Sequence, residues 1–296
     1  MCKIKDKKII LIDGNSIASR AFYGLPLLSN DNGEYTNAVY GFFNMIFKIC
    51  DEELPTHLCV AFDLPSKNFR HDLDFKYKAN RKPMPDYLRP QFFLIKNLLE
   101  LMGIVFFEFE GFEADDILGS LAEKIKFEYK NDAEILIFSG DRDLLQLINE
   151  NTKVLLPKTI AKKNILIRYD YKKVLDDFEI EPENLIDLKA IMGDKSDNIS
   201  GVLGLGEKNA IKIIKEFKTL ENAIKEISLK QDLTRYEKLL ILYQNHALLC
   251  KKMVTIDRNL KINFDFNLAK VKYFFNNKVK RELHRLNIKS FDKRFN

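Results

Sequence analysis

Three times along this chain an apolar run stops at an aspartate. Residues 7–13, Lys-Lys-Ile-Ile-Leu-Ile-Asp, end at Asp13; Leu58-Cys59-Val60-Ala61-Phe62 runs into Asp63; Ile135-Leu136-Ile137-Phe138-Ser139-Gly140 runs into Asp141. Continuous β-branched and aromatic runs this short, separated by helical stretches, read as strands buried on both faces, which means a parallel sheet with helices on either side. The spacing predicts helices over 37–50, 86–102, 113–130 and 142–149, and a further strand at 103–108. Strand and helix alternate, so the expected class is α/β, a mostly parallel sheet flanked by helices. In such sheets ligands gather beyond the carboxyl ends of the strands. Three strands here deliver an Asp to that edge.

After about residue 160 the strand signal fades, and helices are expected at 170–178, 182–192, 207–217, 220–227 and 235–250. The expected organisation is an α/β domain over 1–160, a helical domain over 161–265 and a Lys-rich tail over 266–296. Residues 64–85 are long, basic, aromatic and weakly periodic, and a connection of that length inside a compact domain is usually functional or mobile. At 296 residues and 46% hydrophobic the chain can bury a sizeable core, which excludes disorder. No apolar run reaches the ~20 residues of a membrane span, and the start, Met1-Cys2-Lys3-Ile4-Lys5-Asp6, is too soon acidic for a secretory signal. A cytoplasmic protein is expected. Cys2, Cys50, Cys59 and Cys250 stand far apart without a Cys-x-x-Cys spacing, so neither a zinc site nor a disulfide framework is expected.

The sharpest feature is the set of carboxylates at strand ends and helix starts: Asp13, Asp63, Glu113, Asp115, Asp116, Asp141, Asp143, Asp194 and Asp197. Any one alone is explained by a helix cap or a turn, and the helix dipole accounts for Asp115 and Asp116. Caps do not explain convergence. Two like charges ~4 Å apart at an effective dielectric near 20 repel by about 4 kcal/mol, so a cluster calls for cations or protons. All-oxygen donors without His or Cys point to Mg²⁺, with Mn²⁺ as substitute, and two such ions suit a phosphoryl displacement. Setting the nine carboxylates aside changes the net charge of the rest from +5 to +14. An acidic pocket on a basic surface suits an enzyme acting on a polyanion.

The stretches Leu11-Ile-Asp-Gly-Asn-Ser16, Phe62-Asp63, Tyr77-Lys-Ala-Asn-Arg81, Gly111-Phe-Glu-Ala-Asp-Asp116, Ser139-Gly-Asp-Arg-Asp143 and Gly193-Asp-Lys-Ser-Asp-Asn-Ile199 carry a family resemblance. In order and spacing the sequence resembles the 5′-nucleases of the flap endonuclease superfamily, and is most similar to the N-terminal 5′→3′ exonuclease domain of bacterial DNA polymerase I. The resemblance implies a PIN-like nuclease core, a helical arch at about 64–90 and a C-terminal helix–hairpin–helix domain. It implies that all nine carboxylates bind the active-site metals, that Lys78, Arg81 and Arg20 act on the scissile phosphate, and that Phe69, Arg70 and Tyr77 contact substrate, with Tyr23 a weaker stacking candidate. Taken alone, most of these cations would be a solvated face.

Gly201, Gly204, Gly206 and Lys208 precede the expected helix 207–217. A glycine turn between helices is commonly mere punctuation; the resemblance makes it a hairpin that grips the DNA backbone, with K⁺ as a further cation there. The family's Pro is Ser200 here, which is expected to loosen the hairpin. The tail cations Lys270, Lys272, Lys278, Lys280, Arg281, Arg285, Lys289, Lys293 and Arg294 read as a solvated helix. The resemblance implies a free-standing, monomeric, Mg²⁺-dependent 5′→3′ exonuclease and 5′-flap endonuclease. Its DNA substrates would be flaps, nicked or gapped duplex and RNA primer–DNA hybrids, with a separate DNA polymerase as functional partner. A non-catalytic junction-binding protein and a PIN-type ribonuclease are the alternatives.

Overall fold

The computed structural model describes residues 6–160, 163–272 and 274–295. The expectations about residues 1–5, Cys2 included, lie outside the described residues. Six strands form one sheet: β1 (Lys7–Asp13), β2 (His57–Ala61), β3 (Val105–Phe107), β4 (Ala133–Phe138), β5 (Thr152–Ile160) and β6 (Lys163–Tyr169), in the order β3-β2-β1-β4-β5-β6. β1 to β5 are parallel, and β6 returns antiparallel along the edge. The chain winds outward from β1 in both directions, so the topological switch, and with it the crevice for a ligand, lies at the end of β1.

The helices are α1 (Gly14–Gly24), α2 (Asn37–Glu53), α3 (Phe69–Leu73), α4 (Arg89–Met102), α5 (Ala114–Tyr129), α6 (Tyr171–Phe178), α7 (Leu185–Met192), α8 (Glu207–Phe217), α9 (Leu220–Ser228), α10 (Arg235–Leu242), α11 (Gln244–Val254) and α12 (Asn277–Arg285). Local chemistry sets their ends. Asp13 closes β1 and caps α1, its carboxylate accepting the Ser16 N–H. α4 stops at Gly103, whose φ of +69° a side chain would resist.

Alternation along β1 divides the interior. Ile10 and Ile12 face the layer of α1, α2, α4 and α12, while Ile9 and Leu11 face α5 and the C-terminal helices. Both faces are buried, which is why the strands are apolar throughout. The second cluster runs without a break from Ile9 to Ile213 in α8 and Ile227 in α9. Among the described residues no helix is long and apolar enough to cross a membrane.

Several expectations need correction. The boundary at 160 falls between two paired strands, since β6 extends the sheet to Tyr169. The segment 266–296 is no tail: Val279, Leu283, Leu286, Ile288 and Phe291 are buried against the α2 and α4 layer, and the Phe291 ring meets Phe47 at 5.0 Å. Arg285 pairs with Glu34 and Glu282 there, while Lys272, Lys278, Arg281, Lys289 and Lys293 are exposed. Residues 64–85 carry one helix, the five-residue α3. Residues 143–147 form a 3₁₀ turn instead of a helix over 142–149, and 235–250 is split into α10 and α11 at Tyr243.

Candidate active site

The carboxyl ends of β1, β2 and β4 and the first turn of α5 open into one cleft of about 420 Å³ lined by Asp13, Asp63, Glu113, Asp115 and Asp141, with Lys78, Arg81, Lys82 and Tyr23 on its rim. Each acid is held by the backbone that delivers it. Asp13 accepts the Ser16 N–H at 2.9 Å and the Ser139 hydroxyl at 2.7 Å. Asp63 accepts the Ala114 N–H at 2.7 Å, while its own N–H is held by Asn15. Asp141 accepts the Asp143 N–H at 2.9 Å.

The electrostatics are those of crowded anions. Burial, then the Asp63 charge, raises Asp13 from 3.8 to about 7. Burial raises Asp63 as well, and burial with Asp141 and Asp13 lifts Asp115 well above the carboxylate range. Ionising them together without a counter-charge is costly.

A second group continues beneath the first. Asp143, Asp197, Glu113 and Asp115 line a narrow gap beside Tyr77. Lys189 of α7 bridges Asp143 and Asp194, 2.7 Å from the latter. Burial and Asp141 raise Asp143 to about 7, whereas for Asp194 the Lys189 ammonium and Ser196 overcome burial and bring it to about 2. Asp197 accepts from the Tyr77 hydroxyl at 2.9 Å and Arg81 at 2.5 Å, and Lys78 sits 2.6 Å from Glu113. Lys78 reaches that place with φ +55°, its N–H on the Asp197 carbonyl at 2.9 Å. The base of the 64–85 segment is thus folded onto the loop that carries Asp194 and Asp197.

Of the residues singled out in the sequence, five carboxylates share the cleft with Lys78 and Arg81, and Asp143 and Asp197 lie just below it. Others are placed elsewhere. Asp116 is fully buried outside the lining of both openings, its oxygens taken by Arg70 at 2.8 Å, and Arg70 lines the narrow gap. Tyr77 is 3% exposed and lines the narrow gap, its hydroxyl on Asp197. Phe69 is half-buried against Phe112. Arg20 lies outside the cleft lining, donating to Thr159. Lys189 went unnoticed in the sequence; its signal is one Lys inside the mostly apolar Leu185-Ile-Asp-Leu-Lys-Ala-Ile-Met192. Asn15 and Ser139, which brace Asp63 and Asp13, lie in two of the quoted stretches but were not singled out.

The glycine turn is built as a close approach. Gly201 has φ +65°, and a Cβ there would fall 2.3 Å from the Gly193 nitrogen. Gly204 has φ +83°, Gly206 caps α8, and Lys208 in its first turn is exposed. Ser200 donates or accepts a 2.8 Å hydrogen bond with His246 of α11.

The donor set is oxygen only, which fits Mg²⁺ or Mn²⁺, and the raised carboxyls mark where positive charge is wanted. Among the described residues no group of three His, Cys, Asp or Glu is arranged to hold a metal ion; Glu113, Asp143, Asp194 and Asp197 are turned onto Lys78, Arg81 and Lys189.

Comparison with known proteins agrees with this geometry. Residues 8–179 match the 5′-3′ exonuclease N-terminal resolvase-like domain, and 180–277 the 5′-3′ exonuclease C-terminal SAM fold. A 5′-3′ exonuclease of Aquifex aeolicus is 36% identical over 285 residues, covering 96% of this chain and 93% of that protein. DNA polymerase I of Bacillus caldotenax is 44% identical over 266 residues, 88% of this chain but 29% of the polymerase; the chain thus spans under a third of that relative. Among solved structures, the zinc-bound 5′-exonuclease of bacteriophage T5 shares the fold with a TM-score of 0.68 at 21% identity, covering 95% of this chain and 99% of that one. From its carboxylate cleft and from matches that run over nearly its whole length, this chain belongs to the 5′-3′ exonuclease family.

Proposed function

We propose that the protein is a Mg²⁺-dependent nuclease that hydrolyses DNA phosphodiesters from a 5′ end and at 5′ flaps, in primer removal and repair. The observation that carries this reading is the meeting of acids from three strand ends and the α5 start in one open cleft with Lys78 and Arg81 at its rim. Asp13, Asp63, Glu113, Asp115 and Asp141 would hold the divalent ions, with Asp143, Asp194 and Asp197 beneath them. Bound ions supply Lewis-acid polarisation of the phosphate. The chain's own groups do the rest. Lys78, now on Glu113, and Arg81, now on Asp197, offer cations to a phosphate entering the cleft and offset the charge that develops on it. The glycine turn and the free N–H groups starting α8 offer duplex backbone a sequence-independent grip, with Lys208 adding charge.

The test is single-turnover cleavage of a duplex bearing a labelled 5′ flap, in Mg²⁺ and in EDTA, with Asp13→Asn and Asp141→Asn as controls. Metal-dependent release of label near the junction, lost in both variants, is the expected result. Undiminished cleavage in either variant would sink the assignment; binding without cleavage would mark a junction-binding protein, and cleavage of RNA alone a ribonuclease.

A further inference from the structure

Asp115 and Asp116 are neighbours on α5, about 100° apart around the helix, and their surroundings differ completely. Asp115 opens to the cleft. Asp116 has no exposed surface, and its carboxylate accepts from Arg70 Nη1 and Nη2 at 2.8 Å each, from the Asp257 N–H at 2.8 Å and from the Glu113 N–H at 3.1 Å. A carboxylate has about four acceptor positions, so none remains for a metal ion. Arg70, itself 3% exposed, directs its other donors to the Met253 and Thr255 carbonyls at 2.8 and 2.9 Å.

These bonds join three segments: α3 at the base of the 64–85 segment, the α5 turn that also carries Glu113 and Asp115, and the strand of chain leaving α11. The 64–85 segment reaches the core chiefly through Tyr77, 3% exposed, while Phe75 is 82% and Leu73 38% exposed. With one buried ring beside Lys78, the register of α3 over the cleft rests on the polar ties of Arg70. We propose that the Arg70–Asp116 pair is a latch that fixes the base of this segment, and with it Lys78 and Arg81, relative to the carboxylates; both are positioning residues, and neither ligates metal nor contacts DNA. The proposal rests on reading the cleft as a metal-dependent nuclease site. A buried, fully bonded charge pair suits this task, because any other register leaves both charges unpaired.

The experiment compares Asp116→Asn, Arg70→Lys and Arg70→Ala with Asp115→Asn in the whole chain. Calorimetric Mn²⁺ binding should stay within about twofold of the unsubstituted protein in Asp116→Asn and weaken by about tenfold or more in Asp115→Asn. Asp116→Asn and Arg70→Ala should lower the single-turnover rate by about 10–100-fold with DNA affinity retained. Trypsin should cut within 76–81 faster, and Arg70→Lys, lacking the bidentate fork, should recover only part of the loss. Loss of Mn²⁺ affinity in Asp116→Asn equal to that in Asp115→Asn would return Asp116 to the metal site. Weakened DNA binding at an unchanged rate in Arg70→Lys would make Arg70 a DNA contact. Either result overturns the latch. If the single variants fail to fold, Arg70→Met/Asp116→Leu removes both charges together; wild-type resistance to trypsin in that variant would equally overturn it. Failure of the unsubstituted protein to bind Mn²⁺ at all would refute the functional reading, and the trypsin result then judges the latch alone.

Discussion

Acidification should loosen this cleft's hold on a divalent ion far more steeply than ordinary carboxylates would. Asp13 and Asp143 are both raised to about 7, by burial first and then by Asp63 and Asp141 respectively. A carboxyl with that pKa is about 76% ionised at pH 7.5 and about 3% ionised at pH 5.5. Each one that must ionise to accept an ion thus lowers apparent affinity about 25-fold, or about 2 kcal/mol, and the two together about 600-fold. Carboxyls of ordinary pKa near 3.9 would change by less than about twofold over the same range. Calorimetric titration with Mn²⁺ at the two pH values, in buffers of different ionisation enthalpy, reads both the affinity and the protons released, about two per binding event at pH 5.5. A change in affinity below about threefold would refute the reasoning. The same shifts set stability. A carboxyl raised above its unfolded value favours the folded state while protonated, so in EDTA stability is highest below about pH 4 and declines as pH rises to about 7. Asp194, held at about 2, acts in the opposite sense but only below pH 4, so the two windows do not overlap. Thermal melts in EDTA should fall from pH 5 to pH 7.5, and Mg²⁺ should offset the fall.

Other substitutions test the architecture. Lys189→Met leaves Asp143 and Asp194 without their shared partner and should cost about 1–3 kcal/mol in EDTA, less in Mg²⁺; equal losses by urea unfolding in both conditions would count against a metal taking the place of the ammonium. Gly201→Ala forces a Cβ to 2.3 Å from the Gly193 nitrogen at positive φ and should cost about 2–4 kcal/mol, with a change under about 0.5 kcal/mol refuting the close approach. Leu283→Ala should cost about 2–5 kcal/mol, since Leu283 is fully buried; a neutral result would return α12 to a loose tail.

The parallel strands were legible because burial on both faces leaves them apolar throughout, and the acids at their ends because a polar stop after such a run is conspicuous. β6 escaped because it is the half-solvated edge of the sheet and carries Lys, Asn and Arg, while β5 lies inside the sheet with a short buried run, Val154-Leu155-Leu156, bracketed by Lys153 and Pro157-Lys158. α1 escaped because it opens with Gly14-Asn15-Ser16, residues that favour turns in isolation and are helical here because Asp13 caps them. Asp116 could not be told from Asp115 by sequence. Both suit a helix start, and which one faces inward is decided by where Arg70, 46 residues away, is buried. Lys189 was missed for a related reason, since Asp143, 46 residues away, is brought to it only by the fold. Sequence pattern reports the face an element buries; it does not report which distant charge meets it.

The seam between the two family matches, at residues 179 and 180, runs through the interior. Val174 and Ile180, on either side of it, belong to the same buried cluster as Ile9 and Leu11 of β1 and Ile213 of α8. A chimaera that exchanged everything after residue 179 for a relative's sequence would take Lys189, Asp194 and Asp197 from that relative and meet a mismatched interior, so compatibility between halves is decided by both charge and shape at this seam. Separated, each half would expose the apolar surface the other covers and be prone to aggregate. The two matched regions should therefore melt, and be exchanged, as one unit.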